Sequence, residues 1–393
     1  MKDRKINDQV LVLPSWYPNK LDKYAGDFIQ RHVKAIALYK SQYILHFVKD
    51  ENGTITNDIS VELSANENYT EKIIYYHPKK TGIAVVDKYL SFKKFNKVFK
   101  QSVNEYIIDN GKPTFVHVHV TLKAGIIALW IKKKWAIPFV LSEQWTIYLP
   151  EADERVSHLS FIYKRYLTKI LKEAKSVSVV SKYLGDAICK LYPYINYRVI
   201  PNVVDTTLFY PVEKQDRNPV KFIHASIMGY QKNVEAIFAA LRLLKNKGVP
   251  FTVDLFGPVH VSMQELVLKL QLNEEVFFKG EVEQPLLAKE MQQADALILF
   301  SRFETFGCVI IEAQACGLPV IVSDLEIFSE IITPSINGLF AKNNNPEDLA
   351  EKLIYFIENK KSFDNALISK QTEKYNFIKI GEEFRQFYTT AIS

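Results

Sequence analysis

The sequence predicts an α/β protein made of two domains, each built on an open parallel sheet. A chain of 393 residues is long for a single core, so two domains of nearly equal size are expected. Short apolar runs alternate with helical patterns in both halves, which is typical of strand–helix–strand units. Pro201 and Asn202 predict a turn or hinge between the halves.

The first half opens with residues 10–13 (VLVL), a continuous apolar run typical of a buried parallel strand. A loop containing two prolines follows, and Gly26 precedes a helical pattern over residues 27–39. The polar residues 51–70 predict a surface excursion. Helical patterns separate the other predicted strands, at residues 43–48, 72–77, 115–120, 139–142 and 176–180.

The second half repeats this alternation, with a helix predicted over residues 233–247. Its strands are expected at residues 220–225, 252–256, 276–279, 296–301 and 319–323. Ligands of open parallel sheets bind at the carboxyl ends of the strands. Two such sheets joined by one linker therefore predict a binding cleft between the domains.

Composition describes an ordinary globular protein, with 48% hydrophobic and 24% charged residues. Three cysteines without zinc-site spacing predict reduced thiols in the cytoplasm and no metal. The basic residues 1–5 lead only to the short run at residues 10–13, so no signal peptide is expected. No apolar stretch reaches the ~20 residues that a membrane span needs.

Charge divides unevenly between the halves. Residues 1–200 carry 31 Lys and Arg against 19 Asp and Glu, a net charge of +12, while residues 201–393 carry 19 against 25, a net charge of −6. Residues 87–106 predict a basic helix with aromatic side chains, which suits either an anionic membrane surface or a domain helix whose apolar face packs inward. No nucleic-acid-binding pattern accompanies the basic half.

Two glutamates mark the predicted cleft in the stretch SRFETFGCVIIEAQACGLPVIVS, residues 301–323. Glu304 falls in the loop after a strand, and Glu312 lies within a predicted helix over residues 306–316, with Thr305 as its candidate N-cap. A charge on so apolar a helix needs a partner. The helix amino terminus suits an anionic ligand such as a diphosphate.

These residues resemble the retaining family 4 glycosyltransferases (glycosyl transferases group 1), which have the GT-B fold of two Rossmann-like domains facing across a cleft. The resemblance is strongest to members that build polysaccharide and lipopolysaccharide. It covers nearly the whole chain, in the family's order. The motifs that carry it are Glu304-x7-Glu312, Leu13 to Pro18 with Gly26, His117-Val118-His119, Ser142-Glu143-Gln144-Trp145, Pro201-Asn202-Val203-Val204-Asp205 and Lys232-Asn233.

The resemblance implies a role for each matching residue. His119, Glu304 and Lys232 would be catalytic, and Ser15, Trp16, Glu143 and Gln144 would lie on the acceptor side. No metal or cofactor is implied; a UDP- or GDP-sugar would be the co-substrate. The residues implied to bind this donor are Gly26, Lys232, Glu304, Thr305, Phe306, Gly307 and Glu312.

The resemblance also implies the domain arrangement. Residues 1–198 would form the acceptor domain and residues 199–374 the donor domain, with a helix over about 375–393 crossing back to the first.

Three positions depart from the family pattern, and one of them, Val203, replaces the glycine of the linker. Ile227 stands where the family has an arginine that helps to neutralise the diphosphate, so either Lys232 acts with the helix amides alone or another cation such as Arg302 contributes. Gln144 replaces a histidine, which puts in doubt any acid–base role at that position.

The expected function is transfer of a sugar, with retention, from a nucleotide-diphosphate sugar to a glycan or lipid-linked acceptor in cell-surface polysaccharide synthesis. The expected location is the cytoplasm, with peripheral contact at the inner face of the plasma membrane left open. The alternatives are another GT-B enzyme, either an inverting transferase or an epimerase, and a nucleotide-sugar or glycan-binding scaffold that has lost turnover.

Overall fold

The computed structural model describes residues 6–214 and 217–392, so the basic start at residues 1–5 lies outside the described residues. In this part of the chain, ten strands precede the interdomain linker. They are β1 (Ile6–Asn7), β2 (Val10–Pro14), β3 (Gln42–Lys49), β4 (Ile59–Ala65), β5 (Tyr69–Tyr76), β6 (Lys112–Pro113), β7 (Val116–His119), β8 (Phe139–Glu143), β9 (Val177–Val179) and β10 (Tyr197–Val199).

Eight of these described strands form the first sheet, in the order β10-β9-β8-β7-β2-β3-β5-β4. Every pairing in it is parallel except that of the edge strand β4 with β5. The central strand β2 is buried along its whole length, as its apolar run predicts. The excursion predicted for residues 51–70 is wrong in part, because β4 lies within it as a largely exposed strand.

The second sheet is parallel throughout and follows the order β13-β12-β11-β14-β15-β16. Five of its strands were predicted, and their predicted ends differ from the observed ends by at most two residues. Strand β16 was not predicted. The strands are β11 (Val220–Ala225), β12 (Phe251–Phe256), β13 (Val276–Gly280), β14 (Ala296–Leu299), β15 (Val320–Ser323) and β16 (Gly338–Ala341).

Helices connect and flank the strands. Among the described residues they are α1 (Asp27–Ala37), α2 (Ala84–Asn110), α3 (Ala124–Trp135), α4 (Phe161–Glu173), α5 (Lys182–Leu191), α6 (Val234–Asn246), α7 (Val261–Lys269), α8 (Gln284–Gln293), α9 (Cys308–Ala315), α10 (Pro346–Asn359), α11 (Asn365–Lys370) and α12 (Phe377–Ile392). The short 3₁₀ segments are Thr146–Tyr148, Val156–His158, Tyr230–Lys232, Glu326–Glu330, Lys360–Ser362 and Glu373–Tyr375.

The last helix, α12, crosses back to the first sheet and packs on α1. Gly381 makes this contact possible, since a Cβ at this position would lie 2.3 Å from the carbonyl oxygen of Ala35. We call the first sheet with α1–α5 and α12 the first domain, and the second sheet with α6–α11 the second domain. The predicted boundaries at residues 198 and 375 stay predictions.

The basic helix α2 buries part of its apolar face against the first sheet. Phe95, Val98, Phe99 and Val103 are all buried, as the inward-packing alternative requires. Exposed apolar side chains lie near its two ends: Val85 is 79% and Tyr89 64% exposed in the amino-terminal turns, and Ile108 is 69% exposed near the carboxyl terminus. No helix in the described ranges is both long and apolar enough to traverse a bilayer.

Candidate active site

A cleft of about 620 Å³ separates the carboxyl ends of the two sheets. The start of α1 and the segments around Trp16 and Gln144 line it from the first domain. Loops after β11, β12 and β14 line it from the second domain, together with the first turns of α9. This is where open parallel sheets bind ligands, so the predicted position of the cleft is confirmed.

Gly26 stands at the amino terminus of α1 and lines the cleft. Its φ of 62° is in the left-handed region, and an added Cβ would lie 2.6 Å from the carbonyl carbon of Trp16. Glycine is therefore required both by the backbone and by the packing of the loop. The indole ring of Trp16, which also lines the cleft, packs edge-on against Trp145 at a centroid distance of 5.9 Å.

Glu304 forms an ion pair with Lys232 at the second-domain side of the cleft. Oε1 of Glu304 also accepts a hydrogen bond of 3.0 Å from Ser301 Oγ. Both charged side chains are nearly buried, and both line the cleft. The loop after β14 and the 3₁₀ segment Tyr230–Lys232 after β11 bring them together, because β11 and β14 are neighbours in the sheet.

Glu312 forms a second ion pair, with Arg31 of α1 in the other domain. The distance from Arg31 Nη1 to Glu312 Oε1 is 2.6 Å, and both residues are 5% exposed. Arg31 also donates to Asp27 Oδ2 at 2.9 Å and to the Val203 carbonyl at 3.1 Å. Burial would lower the pKa of Arg31, but the Asp27 and Glu312 carboxylates outweigh burial and raise it, so the guanidinium is charged.

Arg31 is the functional candidate that the sequence did not single out. The apolar surroundings of Glu312 did signal that this carboxylate needs a partner. Nothing local signalled which residue supplies it, because 281 positions separate Arg31 from Glu312 along the chain.

Helix α9 begins later than predicted. Gly307, with φ of 88°, precedes its first residue, Cys308, and no side chain caps this end. The prediction of Thr305 as N-cap is therefore wrong; its carbonyl instead accepts a hydrogen bond from Ser181 Oγ of the first domain at 2.7 Å. Thr305, Phe306 and Gly307 all line the cleft, as their predicted proximity to a donor requires.

His119 ends β7 but is fully buried and does not line the cleft. Neither of its ring nitrogens has a hydrogen-bond partner among the described residues. Its ring lies 4.0 Å from that of His117 and 6.0 Å from that of His32, measured between centroids. Burial and these two histidines hold the pKa of His119 well below its ordinary value, so the imidazole is neutral.

The four predicted acceptor-side residues separate into two groups. Trp16 and Gln144 line the cleft, whereas Ser15 and Glu143 do not. Ser15 Oγ lies within hydrogen-bonding distance of the Val120 carbonyl, 2.8 Å away.

Glu143 is fully buried and has a structural role in this conformation. Its oxygens accept hydrogen bonds from the backbone amides of Thr121, Gln144 and Trp145 and from the hydroxyls of Thr121 and Tyr148. These donors satisfy the carboxylate, so it supports the loop after β8; its predicted place on the acceptor side stays a prediction.

The cleft offers few cations. Ile227 lines it where the resemblance expects an arginine, and its side chain is 67% exposed. Arg302 does not substitute, because it stacks on Tyr230 at 4.2 Å and lies outside the lining residues. Among the described residues, the cations that line the cleft are Arg31 and Lys232. The same ranges contain no group of three or more His, Cys, Asp or Glu side chains arranged for a metal ion.

Comparison with known proteins identifies the family. Residues 72–208 match Glycosyltransferase Family 4, and residues 209–374 match Glycosyl transferases group 1. The chain belongs to the family 4 glycosyltransferases. Among the relatives of this family 4 member is the alpha-monoglucosyldiacylglycerol synthase of Streptococcus pneumoniae, 21% identical over 80% of this chain and 74% of the relative. The O-antigen chain mannosyltransferase RfbU of Salmonella typhimurium is 28% identical over 61% of this chain and 68% of its own.

Solved structures show the fold of this family 4 glycosyltransferase. Sucrose-phosphate synthase from Thermosynechococcus elongatus superposes with a TM-score of 0.78 at 18% identity, covering 97% of this chain and 98% of its own. Alr3699/HepE of Anabaena, in complex with UDP and glucose, has a TM-score of 0.69 at 17% identity, covering 97% and 99%. The fold is GT-B, as the sequence predicted.

Proposed function

We propose that this protein is a retaining, metal-independent glycosyltransferase. It transfers a sugar from a nucleotide-diphosphate sugar to a glycan or lipid-linked acceptor in cell-surface polysaccharide synthesis. One observation carries the proposal: Glu304 and Glu312 face a single interdomain cleft, where each is paired with a cation beside the uncapped amino terminus of α9.

The donor diphosphate would bind at the second-domain side of the cleft. Lys232 supplies a charge there, and the amide end of α9 supplies the positive end of a helix dipole. Preorganised donors of this kind stabilise a leaving diphosphate, which is usually the largest single contribution to such catalysis. The base would be uracil or guanine; the Anabaena neighbour, whose complex contains UDP, supports the former.

The two carboxylates would bind the hydroxyls of the donor. Glu304 would hold the transferred sugar beneath its anomeric carbon, and Glu312 would hold the ribose through charge-assisted hydrogen bonds. The ring nitrogens of His119 have no partner among the described residues, which supports its predicted hydrogen bond to the sugar. Because His119 does not line the cleft, this bond requires the residues that cover it to move. On the acceptor side, Trp16 and Gln144 are the residues positioned to make contact.

Retention follows if the acceptor attacks the face that the diphosphate leaves. The acceptor oxygen forms the new bond to the anomeric carbon as the bond from that carbon to the phosphate oxygen breaks. The acceptor proton passes to the departing phosphate oxygen, so no enzyme base is needed. The products are the glycosylated acceptor and the nucleoside diphosphate. Domain closure on the donor would exclude water from this step.

A panel of nucleotide sugars tests the proposal. Thermal melting identifies the donor, because a ligand at 100 times its dissociation constant stabilises the protein by ~2.7 kcal/mol. That donor should then be hydrolysed slowly without acceptor, and Glu304→Gln and Lys232→Ala should abolish hydrolysis. Arg198→Gln serves as a control, because it breaks an ion pair with Glu383 outside the cleft.

Product stereochemistry and chelation test the finer points. NMR of the product should show the anomeric configuration of the donor, and EDTA should leave the rate unchanged. An inverted product would support an inverting transferase, and an isomerised nucleotide sugar would support an epimerase.

A non-catalytic scaffold is the second candidate, and the observation that favours it is Ile227. Losing one charged hydrogen bond to the diphosphate could cost about 2 kcal/mol of transition-state stabilisation. Donor binding without any hydrolysis or transfer in the wild-type protein would establish the scaffold and refute the enzyme.

We also propose cytoplasmic location and peripheral contact with an anionic membrane surface. A groove of about 450 Å³ between α2, α3 and α4 is lined by four lysines, several apolar and aromatic side chains and no acid. Its lysines are Lys93, Lys100, Lys133 and Lys169. Such a surface favours anionic headgroups at about 1 kcal/mol per lysine. The diacylglycerol and O-antigen relatives act, by their names, on lipid and polysaccharide, in keeping with a lipid-linked acceptor.

Vesicle sedimentation tests this contact. The protein should bind vesicles that contain phosphatidylglycerol at low salt, and the Lys93→Glu/Lys133→Glu variant should lose at least roughly tenfold in affinity. Lys269→Glu/Lys289→Glu changes two exposed lysines of the second domain and is the matched control. Equal binding by both variants, or no binding by the wild type, removes the membrane contact.

A further inference from the structure

The two acidic residues of the Glu-x7-Glu pair are each neutralised by a different cation in this structure. Lys232 pairs with Glu304 within the second domain, and Arg31 reaches Glu312 from the first. Each carboxylate that the proposed function assigns to donor hydroxyls is thus already bonded to protein. Both cations bond Oε1 of their carboxylate, so a donor hydroxyl that binds this oxygen competes with the cation for it.

The charge balance of the cleft also favours moving a cation from its carboxylate to the donor. The described residues that line it include four acids, Asp27, Glu281, Glu304 and Glu312, against two cations. A nucleoside diphosphate adds further negative charge. A cation that leaves its carboxylate to face the phosphates would offset part of this added negative charge.

Arg31 has the chemistry for this second role. The residue is 5% exposed, and its Nε, although buried, has no hydrogen-bond partner among the described residues. A planar guanidinium matches two phosphate oxygens at once, which a lysine cannot do. Apart from Lys232, no other cation among the described residues lines the cleft, where Ile227 supplies none.

We propose that donor binding transfers Arg31 from Glu312 to the diphosphate. In the empty protein, Arg31 neutralises Glu312 across the domain interface. When the ribose hydroxyls take over Glu312, the guanidinium turns to the phosphates and supplies the charge that Ile227 lacks. Arg31 then binds the substrate directly. The inference rests on the proposed function, because it requires a nucleoside diphosphate in this cleft.

Comparing a nucleoside with its diphosphate separates this role from a structural one. Calorimetry gives the affinities of uridine and UDP, and of guanosine and GDP. For the base that the wild type prefers, Arg31→Gln should weaken the diphosphate roughly ten- to a hundredfold, the value of one charged hydrogen bond. It should leave nucleoside affinity unchanged or raise it, because the ribose no longer competes with Arg31 for Glu312 and the nucleoside carries no phosphate for Arg31 to bind.

Two further variants keep the test decisive. Arg31→Lys retains the charge without the planar fork, so its loss for the diphosphate should be intermediate. If Arg31→Gln does not fold, Arg31→Gln/Glu312→Gln replaces the ion pair by two neutral amides and is compared with Glu312→Gln alone. The double variant should again lose affinity for the diphosphate but not for the nucleoside. Arg198→Gln should leave both affinities unchanged, since its partner Glu383 lies outside the cleft.

The outcomes separate the two proposals. Equal losses of affinity for nucleoside and diphosphate would mean that Arg31 only positions Glu312. An unchanged diphosphate affinity would mean that Arg31 stays on Glu312. Either result overturns the transfer of Arg31 and leaves the proposed function standing. A wild-type protein that binds no nucleoside diphosphate refutes the proposed function, and the transfer with it.

Discussion

Lowering the pH from 7.5 to 5 should destabilise the first domain through His46, a buried histidine of β3. This side chain is 5% exposed, and its Nδ1 lies 3.1 Å from the Pro14 carbonyl oxygen. Burial, opposed by that hydrogen bond and assisted by Lys123, lowers the pKa of His46 to about 4. The imidazole is therefore neutral in the folded protein.

The sign follows from the unfolded chain, where a histidine has a pKa near 6.5. Between pH 6.5 and pH 4 the unfolded chain takes up a proton at His46 and the folded protein does not, so stability falls as pH falls. With pKa values of 4 and 6.5, proton uptake at pH 5 favours the unfolded state by about 2 kcal/mol, against less than ~0.1 kcal/mol at pH 7.5.

His46→Asn isolates this contribution. Asparagine retains an N–H for the Pro14 carbonyl but does not titrate. The variant is expected to be less stable than the wild type at pH 7.5, because it loses the buried ring. The difference in unfolding free energy should then shift by about 2 kcal/mol in favour of the variant at pH 5.

Urea unfolding followed by tryptophan fluorescence measures the shift. All four tryptophans, at positions 16, 130, 135 and 145, belong to the first domain, so the signal reports on the domain that contains His46. His158→Asn, which removes an exposed histidine, is measured beside it as the control. If the curves for His46→Asn and wild type also run parallel from pH 7.5 to 5, a neutral buried His46 is refuted.

Three further substitutions test contacts within the first domain. Gly26→Ala should destabilise the protein by at least about 1 kcal/mol and weaken nucleotide binding, because its Cβ would meet Trp16 at 2.6 Å; melting and calorimetry measure both. Tyr388→Phe removes the hydroxyl 2.7 Å from His117 Nδ1 and should cost about 1–3 kcal/mol in urea unfolding, whereas no change would mean that water replaces it. Glu143→Ala leaves several buried donors without an acceptor and should lower the free energy of unfolding by about 3 kcal/mol or more; an unaltered melting temperature would contradict this.

Buried parallel strands were predictable because they leave a strong local pattern. The runs at β2 and β14 are continuous and apolar, since both faces of each sheet are covered. The edge strands β4, β10 and β16 were missed for the corresponding reason. Strand β4 is mostly exposed, and β16 is short and begins at Gly338, so neither carries the pattern of a two-sided core.

The candidate site was predictable in its position more than in its contacts. Gly26, Lys232 and Glu304 line one cleft because each follows a strand or begins a helix at the same edge of its sheet. His119 and Glu143 occupy equivalent strand ends, yet the loops above them bury both. Burial at a strand end depends on how the following loop folds, which a strand pattern does not specify.

The sequence by itself determined that Glu312 needs a partner, because a carboxylate on so apolar a helix is too costly to leave alone. Only the tertiary structure decided that this partner is Arg31. The requirement is local and can be read from neighbouring residues, whereas the answer depends on how α1 of one domain faces α9 of the other, 281 positions away.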